Sequence, residues 1–162
     1  MANKTERLIY FYDLLVKATS SGLANPKPLS VRDAFMLLDK LDANARKLSR
    51  ANSKRSYAIT DWELQDNRVF FILNLSDKTV ADPFFSDLPA NARRKVEKKE
   101  SEGHEFSAHV VVKFPRNPVD PAVMLVEKSA GITVPRLNAV LRQLMRRVRL
   151  LDRKAFYQKD PN

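Results

Sequence analysis

Residues 131–154, GITVPRLNAVLRQLMRRVRLLDRK, limit the possible folds more than any other stretch. Thr133 can cap a helix, and Pro135 suits a first turn whose N–H groups lack intrahelical partners. Leu137, Val140, Leu141, Leu144, Val148 and Leu151 then recur at steps of three and four, which places them on one side of an α-helix. Such a stripe is stable only against a core supplied by the rest of the chain. Arg142, Arg146, Arg149 and Arg153 keep the same rhythm, read here as about a third of a turn away. One face of the helix therefore belongs to a core, and another presents a row of guanidinium groups.

The chain of 162 residues has the size of one ordinary domain, and we read 1–162 as a single unit. The end at Lys159, Asp160, Pro161 and Asn162 carries no closing structural element, which also fits the N-terminal part of a longer protein. There are no cysteines, so disulfides and thiolate chemistry are excluded and a reducing compartment fits. No apolar run approaches the roughly 20 residues that span a bilayer, and the first residues lack a signal-peptide pattern. The expectation is a cytoplasmic protein with no membrane partner.

The formal charge is +10, and its distribution matters more than its size. Residues 41–60 carry five basic and one acidic side chain, and residues 131–162 eight basic and two acidic. Residues 61–90 carry two basic and six acidic ones. Positive charge gathered in two places points to a polyanion such as a nucleic acid.

Along the chain, residues 6–16 are apolar on both faces at period two, which predicts a strand in the middle of a sheet, with a buried helix as the alternative. Ser30, with Asp33 three residues on, starts a helix expected over 31–46, with Ala34, Leu37, Leu38, Leu41 and Ala45 as its apolar stripe. Arg46, Lys47, Arg50, Lys54 and Arg55 follow as a basic helix end or loop. Residues 57–64 and 68–75 read as a hairpin around Gln65, Asp66 and Asn67, with Asp61 and Glu63 on one strand face. Phe84 and Phe85 are expected to anchor a loop to the core, and residues 91–103 to be exposed and mobile. Residues 104–114 and 122–128 form a second strand pair, joined by a stiff loop with prolines at 115, 118 and 121. The sum is an α+β domain: a mainly antiparallel sheet of about five strands with two amphipathic helices. Val69, Phe71, Leu73, Phe106, Val110, Val112, Leu125, Leu37, Leu38, Leu41, Leu141 and Leu144 should share its core.

Catalytic signatures are missing. With glycine only at 22, 103 and 131, no phosphate-cradling loop can form, and no nucleophile motif is present. His104 and His109 lie five apart on a strand and so face opposite sides, which disfavours a shared metal. Asp61 with Glu63, or Glu97 with Lys99, would be the groups of a metal-dependent nuclease, the enzymatic alternative. The preferred expectation has no catalytic residue, metal or cofactor. It is a binding module that contacts the backbone of DNA or RNA through Arg142, Arg146, Arg149 and Arg153, helped by Arg50, Lys54 and Arg55. A protein partner docked on the basic helix, or a homo-oligomer, is the other reading.

Overall fold

The computed structural model describes residues 7–50 and 52–157. Strand β1 (Ile9–Leu14) leads to helix α1 (Val31–Asp39), and then to strands β2 (Lys47–Arg50), β3 (Arg55–Gln65) and β4 (Arg68–Asp77). A small hairpin, β5 (Phe84–Asp87) with β6 (Ala92–Lys95), precedes β7 (His104–Lys113), β8 (Ala122–Glu127) and helix α2 (Val134–Leu151). The fold is α+β, with a six-stranded antiparallel sheet in the order β1-β8-β7-β4-β3-β2 and a separate two-stranded sheet of β5 and β6.

Alternation along the strands decides which side of the large sheet is dry. In β4, Val69, Phe71, Leu73 and Leu75 are buried, and they pair with Val112, Val110, Ala108 and Phe106 of β7. Met124 and Val126 continue this face on β8. The buried stripes of α1 (Val31, Phe35, Leu37, Leu38) and α2 (Leu137, Val140, Leu141, Leu144, Val148) join these residues in one core. Both helices therefore cover the same face, and the opposite face has no layer over it among the described residues. Leu125 lies on that open face, not in the core, because Met124 and Val126 occupy the inward positions on either side.

Other expectations need correction. β1 is an edge strand, not a central one: among the described residues it pairs only with β8, and its second apolar set is left in solvent. Helix α1 stops at Asp39 rather than near 46. Lys40 and Leu41 donate back only three residues, to Leu37 and Leu38, and Asp42 takes the Ala45 N–H on its side chain, so the ladder ends in turns. The basic run that follows is a hairpin strand, β2, because Leu48 turns into the core between solvent-facing neighbours. The start expected at Ser30 is present, with the Asp33 N–H on its hydroxyl at 3.0 Å.

Phe84 and Phe85 do not reach the core and stand 57% and 55% exposed. They pair with Lys95 and Arg94 across the small hairpin and lie beneath the guanidinium groups of Arg93 and Arg94, at 5.0 and 5.5 Å from the ring centres. Residues 92–95 are thus a strand, exposed along its length as expected for that segment. In β3 the register slips between Thr60 and Glu63, and Asp61 has a left-handed φ of 48°. This bulge turns Trp62 inward, where it stacks on Phe35 and Phe71.

Candidate functional site

Helix α2 begins from a tight junction. Gly131 has φ +74°, and a Cβ there would sit 3.0 Å from Leu75 Cδ2, so the turn out of β8 fits only glycine. Thr133 caps with its backbone, its carbonyl taking the Leu137 N–H at 2.9 Å, and its side chain makes no cap bond. Burial of the stripe from Leu137 to Val148 then fixes which side of the helix meets water. At 3.6 residues per turn the four arginines fall nearly half a turn from that stripe, further round than the third of a turn read from the sequence. Arg142, Arg146, Arg149 and Arg153 are all exposed. Among the described residues none of the four makes a side-chain hydrogen bond, ion pair or ring contact.

The acid nearest in sequence does not compensate them. Asp152 is bound to Lys40 Nζ at 2.8 Å, and this hydrogen bond is the first cause holding its carboxyl below the usual range. Arg146, Arg149 and Arg153 converge on an open depression of about 590 Å³ that Leu150, Phe156 and Tyr157 also line. Arg142 lies one turn earlier on the same side. Two other arginines of the helix are used structurally. Arg147 donates to the Ala45 carbonyl and, at 2.7 Å, to that of Lys47, which ties α2 to the start of β2, and Arg136 donates to the Gly131 carbonyl.

The second cationic group divides. Arg50 and Lys54 are exposed at the turn between β2 and β3 and have no side-chain partner among the described residues. Arg55 is half-buried and its Nε donates to Asp77 at 2.7 Å, so it holds the fold together. Arg46 belongs to the same run, yet it caps the Trp62 ring at 4.5 Å and donates to the Asp39 carbonyl. Burial lowers its pKa first of all, opposed by Asp39 and Asp42. Sequence reading missed the structural use of Arg46 and Arg147, and also the place of Phe156 and Tyr157 beside the stripe. An aromatic pair directly after an arginine helix was the available signal.

The bulge at Asp61 interrupts the alternation that would place it with Glu63, and Glu63 instead accepts from Gln65. His104 packs beside Phe106, while His109 meets Glu127 on the open face of the sheet. Among the described residues no three acidic or histidine side chains form a metal-sized group, and no helix is long and apolar enough to cross a membrane. No family model, curated protein or solved structure matches the chain.

Proposed function

We propose that this chain is a nucleic-acid-binding module that grips the sugar-phosphate backbone with helix α2 and has little sequence preference. The observation that carries the reading is the row of four exposed arginines without acidic compensation. Like charges three and four residues apart cost a helix a few tenths of a kcal/mol per pair, and alternating Glu would remove that cost on a surface needing only solubility. Guanidinium also suits bidentate phosphate contact better than ammonium does. All four positions of the row are Arg, with Asn138 one turn before Arg142 as the amide in line with them, so backbone contact is the favoured mode. Arg50 and Lys54 are secondary contacts in this reading, and Arg55 contributes through the edge that Asp77 leaves open.

The test is affinity for mixed-sequence DNA and RNA across a salt series. Binding should weaken with a log–log slope of roughly −0.7 to −0.9 per phosphate contact. Replacing Arg142, Arg146, Arg149 and Arg153 by Gln should flatten the slope by roughly 3 and leave thermal stability nearly unchanged. A second reading has one observation in its favour: Leu150 is 72% exposed beside the arginines, and Leu151, 71% exposed, extends the apolar side of the helix past its buried part, as a protein interface would have them. If the quadruple variant binds nucleic acid as the wild type does but loses a protein partner, the helix is that interface.

A further inference from the structure

The two edges of the large sheet are built differently. At one end, β2 is only four residues long and carries Lys47 and Arg50 in solvent, a short and charged edge of the kind that resists further pairing. At the other, β1 has the sequence IYFYDL, with no proline, no bulge and no charge in its first four residues. Its register with β8 is continuous, and Lys128 N–H donates to the Leu8 carbonyl, so the even-numbered residues bond inward to β8. The N–H and C=O groups of Arg7, Ile9, Phe11 and Asp13 consequently point outward from the sheet edge. Ile9 and Phe11 are also 48% and 70% exposed on the open face. Among the described residues nothing pairs with these outward groups, and an apolar edge of this kind is a template for a further strand.

We infer that this strand is β1 of a second copy of the chain, paired antiparallel about a two-fold axis at Tyr10. The residues choose both the partner and the register. With Tyr10 on the axis, Ile9 of one copy lies opposite Phe11 of the other, and Arg7 opposite Asp13, on both sides of the axis. Cation meets anion at each end and apolar meets apolar between them, a self-complementary pattern that a two-fold interface requires. Sliding the register by one pair either way sets Arg7 against Phe11, or Asp13 against Ile9. Asp13 is exposed and has no side-chain partner among the described residues. Arg7 already touches Glu127 at 3.2 Å, and its five N–H groups leave room for a second carboxylate. On the helix side, Leu8 and Tyr12 meet across the axis on either side of a Tyr10 pair. The two sheets join into one, and their open faces become continuous.

The absence of cysteine from the chain makes the register directly testable. Tyr10 on the axis is a non-hydrogen-bonded pair, with Cα atoms about 4.5 Å apart, inside the range of about 4.4–6.8 Å that a disulfide spans. The full chain should sediment as a reversible dimer. Under mild oxidation Tyr10→Cys should give a covalent dimer, whereas Ile9→Cys or Phe11→Cys alone should not, and the last two mixed should cross-link to each other. Phe11→Lys should sediment as a monomer, with a melting temperature that matches the wild type at dilutions where the wild type is also monomeric and no longer rises with protein concentration. A wild-type monomer at every soluble concentration overturns the inference. So does equal self-linking at positions 9, 10 and 11, or a dimer that survives Phe11→Lys.

Discussion

Asp77 is the buried charged residue among those described, and three donors hold it: the Thr79 hydroxyl at 2.6 Å, the Thr79 N–H at 2.9 Å and Arg55 Nε at 2.7 Å. The Thr79 hydroxyl is the first cause that keeps its carboxyl below the ordinary value, against a desolvation effect in the other direction. A carboxyl whose pKa is depressed by folding stabilises the protein above its unfolded value of about 3.9, and that contribution is lost as pH falls through the folded value. Stability should therefore drop in acid below about pH 4, with Glu127 adding to the loss because His109 holds its carboxyl down in the same direction. Asp77→Asn should cost about 2 kcal/mol at neutral pH and flatten the acid limb of a denaturation series. An unchanged acid limb would show that the buried cluster does not carry the effect. The same residue explains why the charge of residues 41–60 overstated the free cations there. Arg55 is committed to Asp77 and Arg46 to Trp62, and side-chain commitments of this kind leave no trace in a charge count.

Helix α2 was legible in its length and in its buried stripe from Leu137 to Val148, because a single periodicity encodes both, but Leu151, read as part of that stripe, is exposed at the helix end where no core remains to cover it, and the arginines lie further round than read. The alternation in β4 and β7 was equally readable. What escaped the sequence has identifiable physical causes. A strand apolar on both faces looks the same whether neighbours flank it or it lies at an edge with one face uncovered, and so β1 was misplaced. One left-handed residue, Asp61, reversed the facing of the rest of β3, and period two has no way to announce such a reversal. The hairpin of β5 and β6 is held by backbone pairing and by arginines over phenylalanines, neither of which has a periodic signature. Its residues are all exposed, and the charged contact of Lys95 is with Asp82 in the preceding loop. Replacing residues 84–95 by a short Gly-Ser turn should hence shift the melting temperature by less than about 2 °C. A larger fall would mean that the hairpin packs on the body of the protein. Arg147→Met gives the opposite expectation, a clear loss of stability without loss of the free arginine row, because it unties α2 from β2.

For the whole molecule, an excess of ten positive charges with its densest part on one helix face is a source of self-repulsion. Raising the salt concentration from about 0.01 M to about 0.15 M shortens the screening length from about 30 Å to about 8 Å. The melting temperature should rise over that interval, and it should rise less when the four outward arginines are replaced by Gln. A fall on adding salt would mean that ion pairs such as Arg55 with Asp77 outweigh the repulsion. The inequality of the two sheet edges has a consequence of another sort. A sheet with two receptive edges can recruit copies without end and grow into a fibre, because each addition exposes a fresh edge. Here the strand at the other end is short and cationic and resists a further partner, so joining at β1 uses up the more receptive ends of both molecules at once. Growth by this route stops after one step, at any protein concentration.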